Sequence, residues 1–284
     1  MTRQRNTLFF AALVWVLLQG SSAVQALEAC RFVQLCDTQL GMGGYEADIV
    51  RFELAVNAIN ALDVDWVVIC GDLVNDGSDD AAVTDFKRIA KAFTMPVYLA
   101  PGNHDVGNKP TVESLERYRK LQGADYYTAM EHGYKLVIVN TQLWKFHVPE
   151  ESEKHDAWFA AELRKSSDSA TPTLIVSHYP PFVASPDEAD DYYNLPPEKR
   201  KPLLAAVKAA GVNAWLTGHV HKNNVLEYEG IPVVASATTS KNFDGAPYGF
   251  RVWEANEEGT FTHRYEALDI PAGLIPDLPP EKKR

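Results

Sequence analysis

Five short groups of residues in this chain could do chemistry together, and each directly follows an apolar, strand-like run. They are Asp37-Thr38-Gln39, Gly71-Asp72, Gly102-Asn103-His104-Asp105, Ser177-His178 and Gly218-His219-Val220-His221. Between them they offer carboxylate and carboxamide oxygens and imidazole nitrogens, the donor types that hold a divalent cation. Any one group alone is weak evidence. In an α/β sheet, however, the carboxyl ends of the strands lie along one edge, so groups distant in sequence meet in a single crevice. Five groups at the same structural position therefore predict one shared metal site.

The elements that must position these groups are legible from periodicity. Apolar or β-branched runs at Arg31 to Cys36, Asp65 to Cys70, Pro96 to Ala100, Lys135 to Asn140, Thr173 to Ser177 and Ala214 to Thr217 predict strands. Between the first two, Glu46 to Leu62 sets Ile49, Phe52, Val56, Ile59 and Leu62 at helical spacing, and Asp80 to Phe93 repeats the pattern less cleanly. Further helices are expected near Ser152 to Lys165 and Glu198 to Ala210. This alternation predicts an α/β fold. The last stretch differs: Asn224 to Tyr228, Ile231 to Ser236, Gly249 to Glu254 and Thr260 to Ala267 are strands with no helix between them, which predicts antiparallel pairing.

The 284 residues are 46% apolar and 23% charged, a globular composition that excludes disordered and fibrous classes. A formal charge of −11 with no basic stripe argues against nucleic-acid binding. Cys30, Cys36 and Cys70 form no CxxC pair and read as small buried hydrophobes, neither a disulfide framework nor a zinc site. Residues 1–26 have the layout of a secretory signal peptide: Arg3 and Arg5, then the apolar run Leu8 to Leu18, then small residues up to Ala26. That run is short of the ~20 residues a membrane-spanning helix needs. Its removal deletes two arginines and no acid, taking the formal charge to −13. The expectation is an exported protein, periplasmic or secreted, with one domain over residues 27–270, a Pro- and Lys-rich tail at 271–284, and no membrane span after signal removal.

With these motifs on the page, the chain resembles the calcineurin-like metallophosphoesterases, whose pattern runs D-x-H, G-D-x-x, G-N-H-D/E, H and G-H-x-H. Ala58-Ile59-Asn60-Ala61-Leu62, Cys70-Gly71-Asp72-Leu73, Gly102 to Asn108 and Asp190 to Leu195 resemble more closely the calcineurin-like phosphoesterase domain-containing subfamily of Ser/Thr phosphatases. The resemblance implies a four-layer α/β/β/α sandwich and two divalent metal ions, Mn, Fe or Zn. One ion would be held by Asp37, Gln39, Asp72 and His221, the other by Asp72, Asn103, His178 and His219. It further implies a phosphomonoesterase in which a metal-bridging hydroxide attacks phosphorus in line, with His104 as general acid and Asp105 orienting its ring. The substrate would be a phosphate ester, on a small molecule or a phosphoprotein. A phosphodiesterase on the same core is the first rival. The second is a binding module for metal or a phosphorylated ligand, weakened in catalysis by Gln39.

Gln39 stands where most of the superfamily has histidine, as in that subfamily, and exchanges an imidazole for a harder, weaker oxygen donor. The Asp-Arg-Gly that follows the second motif in phosphoprotein phosphatases is absent, so Lys109 is the substitute considered for gripping the substrate phosphate. Gly41-Met-Gly-Gly44 matches no phosphate-loop spacing and reads as a turn. The acidic loop Asp187 to Asp191 reads as solvated, or as a lid that carries Tyr192 and Tyr193 over the site. His132, His147, His155 and His263 fall in no motif and read as exposed or locally hydrogen-bonded.

Overall fold

The computed structural model describes residues 27–275, so the expected signal peptide and the end of the tail lie outside the described residues. The first half builds β1 (Cys30–Leu35), α1 (Tyr45–Asn60), β2 (Trp66–Cys70), α2 (Asp80–Ala90), β3 (Val97–Ala100), α3 (Asn103–Val106) and α4 (Val112–Gln122). The second half adds β4 (Tyr127–Glu131), β5 (Tyr134–Ile138), α5 (Gln142–Lys145), α6 (Glu151–Ser169), β6 (Thr173–Val176), α7 (Pro197–Ala209) and β7 (Ala214–Thr217). The chain then finishes with β8 (Asn224–Tyr228), β9 (Ile231–Ala235), β10 (Gly249–Ala255) and β11 (Phe261–Ala267).

These strands form two sheets, one in the order β11-β10-β1-β2-β3 and the other β4-β5-β6-β7-β9-β8. Period-two alternation divides each strand between two cores. In β1 and β2, Val33, Leu35, Val67 and Ile69 face α1, α2 and α4, where they pack with Phe52, Val56, Ile59, Phe86 and Leu115. Their neighbours Phe32, Trp66 and Val68 face the other way, against Leu136, Ile138, Val176 and Leu216 of the second sheet. Ile175, Trp215 and Val233 cover the outer face of that sheet beneath Phe159, Leu163 and Leu204 of α6 and α7. Strands buried on both faces need nearly continuous apolar sequence, which is why β2, β6 and β7 read as apolar runs. The result is the expected four-layer α/β/β/α sandwich in one domain.

The contact between the sheets is mainly apolar and includes the polar groups of Gln34 and of Cys36, whose Sγ donates to the Thr217 carbonyl at 3.2 Å. The Gln34 carboxamide, fully buried, donates to the Thr217 and Val234 carbonyls at 2.9 and 2.8 Å and accepts from Trp253 Nε1 at 2.9 Å. Buried polar groups of both sheets are thereby paired, and β1 is registered against β7, the two strands that lead into Asp37 and His219.

The antiparallel expectation for the last strands holds for β8 with β9, β10 with β11 and β10 with β1. It fails for β9 against its other neighbour, because β8 is placed at the sheet edge and β9 runs parallel beside β7. Two elements carry signals that the periodicity reading passed over. The helix α4 opens on Thr111, whose Oγ1 accepts from the Ser114 N–H at 3.1 Å, a capping box. The edge strand β4 turns into β5 through His132-Gly133, both at positive φ as a tight hairpin turn requires. All three cysteines are free and buried, as expected. Of the four unassigned histidines, His155 is not exposed: it is completely buried among Tyr126, Trp144 and Trp158. Among the described residues, no helix is long and apolar enough to cross a membrane.

Candidate metal centre

The carboxyl ends of β1, β2, β6 and β7 and the short helix α3 after β3 bring Asp37, Gln39, Asp72, Asn103, His178, His219 and His221 together. All seven are buried. Asp72, His178 and His219 present ligand atoms within 4.8 Å of one another, and so do Asp37, Asp72 and His221, with Asp72 common to both groups. Nine non-glycine residues among those described have positive φ, and five of them are Asp37, Gln39, Asp72, His219 and His221. L-residues enter that region at about 1 kcal/mol or more each, so the chain carries strain where it aims side chains into the crevice. Two glycines permit the close approach. A Cβ on Gly102 would lie 2.1 Å from Asp72 Oδ1, and one on Gly218 would lie 2.6 Å from the Cys70 carbonyl and 2.8 Å from Asp37 Oδ2.

Hydrogen bonds set the protonation of each imidazole. A backbone carbonyl can only accept, so His178 Nδ1, 2.8 Å from the Cys70 carbonyl, must carry its hydrogen. The same argument applies to His219 Nε2 on the Tyr192 carbonyl at 3.1 Å and His221 Nδ1 on the Lys241 carbonyl at 2.6 Å. In the neutral rings, the other nitrogen of each turns its lone pair into the crevice. There His178 Nε2 lies 3.1 Å from His219 Nδ1, 2.9 Å from Asn103 Oδ1 and 3.3 Å from Asp72 Oδ2. His221 Nε2 lies 3.3 Å from Asp37 Oδ1. Acceptors facing acceptors at such distances need a shared positive centre, either a proton or a metal ion.

The electrostatics of the metal-free protein agree. Burial opposes charge on Asp72, but His178 beside it, with help from His104 and His219, outweighs burial and holds the carboxyl well below the usual carboxylate range. Burial likewise opposes a proton on His178, and Asp72 overrides it, pushing that imidazole up to about 9. Burial and the charge of His178 hold His219 well below the ordinary imidazole range. One proton thus settles between Asp72 and His178, at the position a cation would take. A further sign is Gln39. Its Nε2 donates to Asn75 Oδ1 at 3.3 Å, leaving Oε1 buried with no hydrogen-bond partner.

His104 is half-buried beside this cluster. Its N–H donates to Asp72 Oδ1 at 2.8 Å, and its ring is oriented by the Asn75 carbonyl, 2.7 Å from Nδ1. The expectation that Asp105 orients this ring is therefore corrected. The Asp105 carboxylate accepts instead from the N–H groups of Leu73, Val74 and Gly102, tying the loop after β2 to the start of α3. Burial and the nearby Asp72 push its pKa up to about 8. Asn75 lies outside the five groups and has no sequence signal of its own.

The structure brings Tyr192 and Tyr193 against His219, with ring centroids 4.9 and 5.6 Å away, and Asn103 Nδ2 donates to the Tyr192 hydroxyl at 3.3 Å. Their loop is not merely solvated. Lys145 Nζ donates to Asp190 Oδ1 and to the carbonyls of Asp191 and Asn194 at 2.6–2.9 Å, and the fully buried Arg200 donates to the Leu195 carbonyl at 3.0 Å. Neither cation had a sequence signal, since each binds mainly backbone. Lys109 is exposed on the turn after α3, next to Asn108, whose Oδ1 accepts from Asn103 Nδ2 at 3.0 Å.

A sandwich of this topology with oxygen and imidazole donors gathered at its strand ends is the architecture of a metal-dependent hydrolase. The family profile of the calcineurin-like phosphoesterases matches residues 30–223. The chain is 32% identical over 262 residues to the serine/threonine-protein phosphatase CPPED1 of Danio rerio, covering 84% of each. It is 33% identical over 246 residues to the human protein of that name, covering 82% of this chain and 77% of the relative. In fold it is similar to a dimetal phosphatase from Danio rerio, with a TM-score of 0.64 and 16% identity over 82% of this chain and 94% of that one. The chain belongs to the calcineurin-like phosphoesterase family. It is a metal-binding hydrolase of phosphoric esters.

Proposed function

We propose that the protein is a dinuclear phosphomonoesterase, exported by its N-terminal segment, that acts on a phosphate ester of a small molecule or a phosphoprotein. Asp37, Gln39, Asp72 and His221 would hold one divalent cation, and Asp72, Asn103, His178 and His219 the other. The observation that carries this reading is the convergence of Asp37, Asp72, His178, His219 and His221 in two groups of ligand atoms that share Asp72, beside the unpartnered Gln39 Oε1. Mixed oxygen and imidazole donors suit Mn, Fe or Zn.

Two cations bound there would supply positive charge for the phosphoryl oxygens and would make a water more acidic near neutral pH. The residues of the chain do the rest. Asp72, charged and shared, sets the spacing of the two ligand groups. The carbonyls of Cys70, Tyr192 and Lys241 keep the three imidazoles in the tautomer that points a lone pair inward. His104, with Nδ1–H held by the Asn75 carbonyl, delivers a proton from Nε2 to the departing alkoxide oxygen. Tyr192 shields the side of the crevice next to His219 and Asn103.

The test is to strip the protein with a chelator, reload it with Mn²⁺ or Zn²⁺, count the ions by elemental analysis, and follow p-nitrophenyl phosphate beside bis(p-nitrophenyl) phosphate. Two ions per chain with preference for the monoester is the expected result, and Asp72→Asn should impair both sites. Preference for the diester would make it a phosphodiesterase. Full hydrolysis by metal-free protein would refute the metal assignment. Sequencing the N-terminus of the mature protein tests export, with cleavage after Ala26 expected.

A further inference from the structure

Beside the metal-ligand cluster lies a cavity of about 190 Å³ walled by Val183, Tyr193, Val220, Lys222 and Phe243. Its walls touch the site. Val220 sits between His219 and His221 in the chain, and the Phe243 ring stacks on His221 with centroids 4.7 Å apart and planes 12° apart. The Phe243 N–H also donates to the His221 carbonyl at 2.8 Å. Opposite, the Tyr193 ring approaches His219. The two aromatic walls stay open to solvent, with Phe243 48% and Tyr193 38% exposed. Apolar surface of that kind at the mouth of a phosphate-binding crevice has no role in holding metal, and burying it would be favourable.

Volume decides what fits. An apolar cavity of ~150 Å³ accommodates benzene, whereas drug-sized ligands occupy ~300 Å³ or more. One aromatic ring fits. The remaining wall carries a charge as well: Lys222 is exposed at the rim and makes no ion pair or hydrogen bond among the described residues.

We propose that this cavity is the subsite for the organic group of the substrate. It selects phosphate monoesters whose alcohol carries a single aromatic ring, and Lys222 meets an anionic substituent on that ring. The proposal rests on the phosphomonoesterase reading, which supplies the phosphoryl position from which the ring extends.

The experiment separates the two. Benzylphosphonate and methylphosphonate are not hydrolysed, and their affinities for the metal-loaded protein are measured by calorimetry. Benzyl phosphate and methyl phosphate, whose leaving alkoxides are of similar basicity, are compared by kcat/KM. The benzyl compounds should be favoured about 10-fold to 100-fold in both measurements, the range a filled apolar pocket gives. A 4-carboxybenzylphosphonate should bind a further ~2–5-fold tighter, an increment lost in Lys222→Gln. Val183→Phe fills the cavity while keeping the backbone bonds of Val183 to Glu188 and Asn224, and should collapse the benzyl-to-methyl ratio toward one. Phe243→Leu, which removes one wall, should lower the same ratio if Val183→Phe fails to fold. Equal affinities in the wild type, or a ratio unchanged in a folded variant, would overturn the subsite. A benzyl preference in binding without turnover of either ester would instead leave the subsite standing and refute the monoesterase reading.

Discussion

Arg51 and Asp48 form a buried ion pair on α1, their side chains 1% and 0% exposed. The pair fastens two loops that reach the metal centre. Arg51 donates to the Thr239 and Gly43 carbonyls at 2.8 and 3.0 Å, and Asp48 Oδ2 accepts from the N–H groups of Gly41 and Gly43, both at 2.9 Å. The first loop begins at Gln39, and the second runs into Lys241, whose carbonyl holds His221. We predict that Arg51→Met leaves the Asp48 charge buried without a partner and two carbonyls without a donor, costing about 3–5 kcal/mol. That is a large part of the ~5–15 kcal/mol by which a domain is stable. In urea unfolding of the metal-free protein at neutral pH, followed by tryptophan fluorescence, a slope near 3 kcal/mol/M makes this a midpoint shift of about 1–2 M. Adding Asp48→Asn removes the stranded charge while keeping an oxygen for a glycine N–H, and should recover about 2 kcal/mol. A single-variant loss below ~1 kcal/mol, or a double variant no more stable than the single, would refute this account.

Three further predictions follow from single contacts. Gly102→Ala has no backbone penalty at φ −107°, ψ 178°, yet its methyl would overlap Asp72, so we expect a loss of about 1–3 kcal/mol and weakened uptake of both metals, read by unfolding and elemental analysis. His104→Ala should retain metal while turnover of an alkyl phosphate falls about 10²-fold to 10⁴-fold, with a smaller loss for p-nitrophenyl phosphate; equal losses would make His104 a positioning residue. Burial, with Lys199 adding to it, lowers the His155 pKa to about 3, against ~6.5 in the unfolded chain. The unfolded state alone therefore takes up a proton as pH falls through that window, and stability declines, by about 2 kcal/mol at pH 5. His155→Gln keeps an acceptor for the Asn140 N–H, so its unfolding free energy should lack this decline, and parallel pH profiles would contradict the prediction.

Every strand but β4, the helices α1, α2, α6 and α7 and the convergence of the five motifs were legible in the sequence, because these depend on local periodicity and on a rule of sheet edges that holds for any α/β fold. Val67, Ile69, Leu136 and Val176 lie in apolar runs whatever they pack against, and Asp37, Asp72, His178 and His219 follow strands whose ends must share an edge. Only the tertiary structure decided what depends on distant partners. The parallel seat of β9 beside β7 is a choice among pairings that one strand cannot encode. Which imidazole nitrogen faces inward is set by the carbonyls of Cys70, Tyr192 and Lys241, and any residue type offers a carbonyl. For the same reason Asn75, and not Asp105, orients His104, and Lys145 and Arg200 hold the tyrosine loop without any motif. Side-chain identity carried the donor set; backbone geometry, assembled across some two hundred residues, aimed it.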